Sequence, residues 1–274
     1  MKHFRKLVGP YCFWLFILTI IPMFLIMMYA FIQKGNAITT FSFTLDNFSK
    51  FFDPIFVSVL IKSFVLGIIT TVLCLLIGYP VAYAISKCKE NTQTILILLI
   101  TFPTWINMLM RTYAWINILS SKGIISNVFQ LLGFGEVSFL YTDFAVVLGM
   151  VYDFLPFMIL PIYNTIAKID RSYIEAALDL GAELHNVFFR VILPLSMPGI
   201  VSGITMVFLP AMTNYVVLDM MYNSTYIMGS LIGSYFNMYD WNNGSVISMI
   251  LLILILLLSM ITGEFSDKEG DSYD

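Results

Sequence analysis

Residues 169–194, IDRSYIEAALDLGAELHNVFFRVILP, form a polar stretch within an otherwise apolar chain. In two successive runs of this stretch, apolar residues recur at the spacing of one helix face. The two sets are Ile174, Ala177, Leu178 and Gly181, followed by Leu184, Val187, Phe188, Val191 and Ile192. Gly181 lies between the runs, where a bend can use a positive φ angle, and Pro194 and Pro198 end the second run. The pattern predicts a helix-turn-helix that stays outside the bilayer and needs a surface to pack against.

The composition on either side of this stretch indicates an integral membrane protein. Hydrophobic residues make up 59% of the chain and charged residues only 11%, whereas soluble domains carry about 25% charged residues. Long apolar runs favour membrane helices, so the expected fold class is all-α. The chain has no basic tract and a net charge of -3, so we expect no nucleic-acid partner.

The apolar runs predict six transmembrane helices, each near the roughly 20 residues that cross about 30 Å of hydrocarbon. They are expected at residues 10–32, 57–84, 95–119, 144–166, 197–218 and 245–262. Lys and Arg are about twice as frequent on the side that holds the N-terminus, the loop after the second span and the 169–194 stretch. Because cytoplasmic loops carry the excess of positive charge, both termini are expected in the cytoplasm.

We therefore expect one transmembrane domain over residues 1–274, a cytoplasmic segment at 169–194 and a cytoplasmic tail at 263–274. The N-terminal sequence MKHFRK precedes an apolar run that is too long for the core of a signal peptide. It is interpreted as a signal anchor that remains in the mature protein.

Three ionisable residues fall at membrane depth, where a charge is costly and usually functional. They are Arg111, Asp153 and Asp219, and all three are expected in the outer half of the membrane. They could share one cavity along a transport path. The alternative is a structural ion pair between Arg111 and one of the two aspartates.

Motifs for catalysis are missing from the sequence, which contains no HExxH, no GxSxG and no Walker A loop. The three cysteines have no disulfide or zinc spacing. We therefore expect a non-catalytic transport protein whose energy comes from elsewhere. The 169–194 stretch carries charges of both signs that could pair with a soluble motor subunit, or could simply face water. These charges are Arg171, Glu175, Asp179, Glu183 and Arg190.

The stretch EAALDLGAELHNVFFRVILP resembles the EAA signature of ABC-importer permeases, in which EAA, three residues, G and nine residues precede I-x-L-P. Val191 stands where the signature has isoleucine. The matching residues are Glu175, Ala176, Ala177, Gly181, Leu193 and Pro194. The resemblance implies the type I ABC importer permease fold. It also implies that residues 169–194 form a coupling segment, docked in a groove of a partner ATPase.

The likeness extends over nearly the whole chain and points to the spermidine/putrescine importers, in particular to the first of their two permease subunits. The stretches that carry it are LDNFSKFFDPIFVSVLIKSF, PTWINMLMRTYAWINIL, YDFLPFMILPIY, FLPAMTNYVVLD and the pair Asp240 and Trp241. Relatives in this branch carry other solutes, so an opine, an iron(III) complex, a phosphonate or an oxyanion remains an alternative cargo.

The resemblance implies a second homologous permease subunit, two ATPase subunits and an extracytoplasmic substrate-binding protein as partners in a bacterial cytoplasmic membrane. ATP and magnesium would be bound by the ATPase, so no cofactor or metal is expected in this chain. A transported amine would favour carboxylates and aromatic faces along its path. The candidates are Asp219, Asp153, Tyr152, Trp105, Tyr113 and Tyr215, with Arg111 expected to be paired.

Two other classes of membrane protein remain as alternatives on the sequence alone. An ion-coupled secondary carrier would need no ATPase, but the two halves of the chain show no repeat of the kind such carriers have. An intramembrane enzyme would need a catalytic motif that the sequence lacks.

Overall fold

The computed structural model describes residues 2–33, 42–133, 135, 136, 138–222 and 227–270. These residues are mainly α-helical, with one isolated antiparallel bridge between Ile32 and Phe43. The thirteen helices of the described residues are numbered in chain order. They are α1 Lys2–Phe31, α2 Pro54–Ser86, α3 Glu90–Thr101, α4 Met108–Leu119, α5 Ile124–Leu131, α6 Asp143–Ile166, α7 Arg171–Asp179, α8 Leu184–Val187, α9 Leu193–Leu195, α10 Met197–Thr213, α11 Tyr215–Tyr222, α12 Met228–Asn237 and α13 Trp241–Gly270.

Three helices are long and apolar enough to cross a membrane by themselves: Gly9–Phe31, Pro54–Ser86 and Asp143–Ile166. Two bent helix pairs, Glu90–Trp105 with Met108–Leu131 and Leu184–Leu195 with Met197–Thr213, raise the number to five if each pair is one span. The sixth predicted span corresponds to a shorter apolar helix within α13.

The predicted span 95–119 differs from the structure because it is not one helix. The chain bends by 92° at the break between Glu90–Trp105 and Met108–Leu131. Pro103 lies in a short 3-10 turn over Phe102–Trp105, where its missing N–H interrupts the helical hydrogen bonds. The Asn107 side chain then accepts a hydrogen bond from the backbone N–H of Leu109 and starts α4.

The predicted fifth span, 197–218, is also divided. Helix α10 ends at Thr213, and the separate helix α11 begins at Tyr215 after Asn214. Of the predicted tail 263–274, residues 263–270 continue helix α13 and residues 271–274 lie outside the described residues.

The centre of the molecule is made by α2, α6 and α10, which pack against one another. Small residues allow this close approach, as is usual between membrane helices. A Cβ atom at Gly199 of α10 would lie 2.8 Å from the backbone carbonyl oxygen of Pro161 in α6, so this crossing requires glycine. Helices α1, α12 and α13 pack beside this centre, and α4 and α11 contact α6 near the end opposite to residues 169–194.

Candidate functional site

The 169–194 segment has the predicted form of two helical pieces joined at a glycine. Asp170 begins α7, because its side chain accepts a hydrogen bond from the backbone N–H of Ser172. Hydrogen bonds from the backbone N–H and the side chain of Ser172 hold the pKa of Asp170 below its usual value. Gly181 has a φ angle of +81° and turns the chain into α8. Residues Phe188–Ile192 continue as a π-helical turn.

Aromatic contacts attach this segment to α2. The ring of Phe188 lies edge-on to Tyr79 and Tyr83, with centroid distances of 5.8 and 5.3 Å. Eight residues after Phe188, the Oγ atom of Ser196 lies 2.9 Å from the hydroxyl oxygen of Tyr79, and both residues are buried. A displacement of the segment would therefore act directly on α2. The sequence pattern placed Phe188 on an apolar face but did not identify the residues that it contacts.

The face of the segment that points away from α2 is open. All five charged residues named for it, at positions 171, 175, 179, 183 and 190, are exposed. Among the signature residues, Glu175, Ala176, Gly181 and Pro194 are exposed, while Ala177 and Leu193 are half-buried. Large apolar side chains share this open surface, notably Leu180 and Leu184, which are 89% and 76% exposed. Exposed leucines beside charged residues are typical of a surface that a partner covers.

A polar cavity of about 740 Å³ separates the segment from the loop between α2 and α3. Lys87 and Lys89 line it from the loop side, and Arg171 and Glu175 line it from α7. Gln93 fixes the loop, because its amide donates to the carbonyl oxygens of residues 86 and 88 and accepts from the Tyr163 hydroxyl. Positively charged residues of the α2–α3 loop and of α7 thus line one cavity at one end of the molecule.

At membrane depth, Arg111 of α4 and Asp153 of α6 form an ion pair. The Nη1 atom of Arg111 lies 2.9 Å from the Oδ1 atom of Asp153, and the two side chains are only 10% and 4% exposed. The guanidinium also lies 6.0 Å from the ring centroid of Tyr152. Trp115 stands edge-on to that ring at 5.4 Å. The structure thus brings together three of the predicted path residues.

Trp115 belongs to this cluster although it is absent from the predicted site. The available signal was its position four residues after Arg111 in the same helix, which puts both side chains on one face. The contact of Trp115 with Tyr152 depends on how α4 packs on α6, which the sequence does not show.

The other predicted path residues are not gathered at this cluster. Asp219 is exposed on α11, and no described residue forms an ion pair with it. Trp105 lies at the helix break and packs on Phe102, while Tyr113 and Tyr215 are exposed on α4 and α11. A single cavity that holds all three ionisable residues is therefore not seen in the described part of the chain.

An apolar groove of about 850 Å³ runs between α2 and α6. Its charged end is formed by Lys62 and Asp143, whose Nζ and Oδ1 atoms are 3.9 Å apart. The Nζ atom of Lys62 also lies 4.8 Å above the ring of Tyr222. Sequence reasoning assigned no role to these three residues.

Within the described ranges there is no group of three or more His, Cys, Asp or Glu side chains that could hold a metal ion. The prediction that this chain carries no cofactor stays a prediction.

Residues 1–266 match the sequence family described as "Binding-protein-dependent transport system inner membrane component". The spermidine/putrescine transport system permease protein PotB of Haemophilus influenzae is 38% identical over 266 residues, which cover 95% of this chain and 93% of PotB. PotB of Escherichia coli strain K12 is 36% identical over 253 residues, which cover 90% of this chain and 92% of that protein.

In structure, the chain is similar to a chain of the bacterial alginate ABC transporter solved with an alginate pentasaccharide-bound periplasmic protein. The TM-score is 0.80, with 97% of this chain and 94% of that chain covered, at 15% sequence identity. At this identity the likeness concerns the fold alone, and it confirms the predicted importer-permease architecture.

Proposed function

The chain belongs to the family of binding-protein-dependent transport system inner membrane components, and on this premise we propose that it is the permease of a polyamine importer. The choice of a polyamine as the cargo rests on one observation. The two PotB proteins, which are named for spermidine and putrescine transport, are 38% and 36% identical to this chain over 95% and 90% of its length.

As a member of this family the chain is a membrane-embedded transport subunit and not an enzyme, as the sequence predicted. Its orientation is part of the proposal, with both termini in the cytoplasm. Support comes from the cavity beside residues 169–194, where Lys87, Lys89 and Arg171 cluster at one end of the molecule. Because cytoplasmic loops carry an excess of Lys and Arg, this cluster favours a cytoplasmic location for that end.

The proposed assembly contains this chain, a second homologous permease, two ATPase subunits that bind ATP and magnesium, and an extracytoplasmic binding protein. The open surface of residues 169–194 is the proposed ATPase contact. It offers charges of both signs together with the exposed side chains of Leu180 and Leu184.

Within that contact, the signature residues would dock on the ATPase, and Phe188 would pass the movement to α2. They are Glu175, Ala176, Ala177, Gly181, Leu193 and Pro194. Phe188 lies against Tyr79 and Tyr83 of the central helix α2. Closure of the ATPase dimer on ATP would then shift α2 relative to α6 and α10 and alternate the access of the path.

The proposed path offers a cationic amine both carboxylates and aromatic faces. Asp153 and Tyr152 would act at membrane depth, and Asp219 nearer the outer surface. Trp105, Tyr113 and Tyr215 present exposed rings for cation–π contacts, which are worth roughly 0.5–2 kcal/mol each. In the empty path Asp153 neutralises Arg111, which would otherwise repel an approaching amine.

The test is ATP hydrolysis by the complete complex in proteoliposomes, with the binding protein added empty or loaded with one solute. Spermidine or putrescine should stimulate hydrolysis severalfold above the empty binding protein and should accumulate inside the vesicles. An opine, an iron(III) complex and a phosphonate serve as controls, each presented on the same binding protein. Stimulation by one of these and not by polyamines would contradict the proposed cargo.

A further inference from the structure

The ion pair between Arg111 and Asp153 leaves hydrogen-bonding capacity unused. Although Nη1 and Oδ1 are 2.9 Å apart, neither atom makes a hydrogen bond of acceptable geometry within the described residues, and the Nε atom of Arg111 has no partner there. A guanidinium has five donors, so this one is poorly satisfied for a side chain that is only 10% exposed. A buried ion pair whose hydrogen bonds are not all met is weak evidence for a purely structural role.

The surroundings of Asp153 have the chemistry of a site for an organic cation. A buried carboxylate supplies the negative charge, and the ring of Tyr152 faces the cation at 6.0 Å. Trp115 packs edge-on against Tyr152 at 5.4 Å and holds that ring in place. Carboxylates combined with aromatic faces bind ammonium groups. In the structure this site is filled by the side chain of Arg111.

We propose that Arg111 acts as a resident cation, which occupies Asp153 while the path is empty and is displaced by an ammonium group of the passing polyamine. The exchange replaces one positive charge by another, so Asp153 is never left as an uncompensated buried charge. This inference rests on the proposed polyamine function and adds the residue that tunes the path for cations.

The exchange also keeps the affinity of the site for the amine low. A transport path needs a low affinity because it must release its cargo. An amine gains only the difference between its own interaction with Asp153 and that of the guanidinium it replaces. Neutral and anionic solutes cannot substitute for Arg111 and leave the ion pair closed. In this proposal helix α4, which a 92° break separates from α3, moves to admit the cargo and carries the released guanidinium away from Asp153.

The first test removes the resident cation. In the purified complete complex without binding protein, Arg111→Met should raise the equilibrium retention of radiolabelled spermidine at least tenfold, because Asp153 becomes available. Adding Asp153→Asn to that variant should abolish the gain. Lys62→Met is the matched control, since it removes a lysine paired with a more exposed carboxylate, and retention should stay at the wild-type level. Unchanged retention in an assembled Arg111→Met complex would overturn the exchange.

The second test compares labelling of the wild-type protein with and without spermidine, so its main comparison does not depend on how a variant folds. Phenylglyoxal, which modifies arginine, is applied to proteoliposomes during ATP-driven import, and Arg111 labelling is measured by peptide mass spectrometry. Labelling should rise severalfold when spermidine is imported and should be high without spermidine in Asp153→Asn. Import of spermidine without increased labelling would overturn the exchange alone. Absence of spermidine import by the wild type would overturn the proposed function and the exchange with it.

Discussion

Gly181 is the residue on which the form of the coupling segment depends most directly. Its φ angle of +81° is open to glycine and costs other residues about 1 kcal/mol or more. A Cβ atom there would meet no atom within 4 Å in this chain. The requirement for glycine is therefore one of backbone conformation and not of space inside the subunit.

Gly181→Ala is expected to lower ATP-driven import about fivefold, because about 1 kcal/mol of backbone strain weakens the bent form that presents the segment. Gly181→Asn is the matched control, since asparagine tolerates positive φ, and it should retain more import than the alanine variant although its side chain is larger. Both rates are measured in membrane vesicles that contain equal amounts of the assembled complex. If the asparagine variant were the worse of the two, size at the ATPase contact and not strain would be the cause.

Asp219 differs from Asp153 because it is exposed and has no ion pair with a described residue. Asp219→Asn keeps the size of the side chain and removes its charge. We expect a twofold to tenfold loss in the initial rate of spermidine import, with assembly unchanged, because a carboxylate near the outer end attracts cations. The loss should shrink as salt is raised, since exposed charges are screened. Wild-type import by this variant at low salt would show that Asp219 does not serve the path.

At the scale of single residues, the sequence allowed two interpretations of Arg111: a place in a cavity shared with both aspartates, or an ion pair with one of them. The structure contains the ion pair, with Asp153. The choice between Asp153 and Asp219 as its partner could not be made in advance, because it depends on the packing of α4 against α6. The same packing decides that Trp115 joins the cluster while Tyr113, two residues away, is exposed. The presence of Arg111 and the two aspartates at membrane depth was predictable, whereas the partner of Arg111 was not.

At the scale of secondary-structure elements, the third predicted span shows that hydropathy alone does not locate a break within an apolar stretch. The sequence stays mostly apolar across positions 102–106, so a continuous span was predicted, yet Pro103 and Asn107 end one helix and begin another. Both residues are visible in the sequence as helix breakers and caps. Their effect was underestimated because proline is often tolerated inside membrane helices, as Pro156 and Pro161 are in α6.

The coupling segment was predicted more completely, because its signals are local. The apolar spacing and the glycine between the runs act within a few residues of the chain. Its attachment to α2 is a long-range contact between Phe188 and Tyr79, more than a hundred positions apart, and no local pattern contains that information.

The contact of Phe188 with α2 predicts a loss of import when its ring is removed. Phe188→Ala removes the two edge-on aromatic contacts with α2, each worth about 0.5–1.5 kcal/mol beyond simple burial. Import should fall about tenfold while the complex still assembles and hydrolyses ATP, because movement of the segment no longer reaches α2. Phe157→Ala is the control, since it makes the same truncation at an exposed position of α6. Equal import by the two variants would place the coupling path elsewhere.

For the molecule as a whole, the described residues form a tight centre of α2, α6 and α10 with much exposed apolar surface around it. Part of that surface suits lipid, as the exposed side chains of α1 do. Leu180 and Leu184 are different, because they lie on the charged segment at one end of the molecule, where lipid tails would not cover them. A single chain thus carries a surface that its own fold leaves uncovered, in agreement with its role as one subunit of a larger machine.

The assembly itself can be tested at these two leucines. Leu180→Glu combined with Leu184→Glu should reduce co-purification of the ATPase more than tenfold, because burying a leucine is worth about 1.5–3 kcal/mol and a carboxylate resists burial. Membrane insertion should be unaffected, as both side chains are already exposed to solvent in the isolated chain.

Leu132→Glu is the matched control, since Leu132 is 67% exposed and follows α5 near the opposite end of the molecule. Co-purification is quantified from the same solubilised membranes for all variants, and the amount of permease is the reference. If the double variant retained the ATPase as well as the control does, the contact would not run through the exposed leucines. The charged side chains at positions 171, 175 and 179 would then have to carry it.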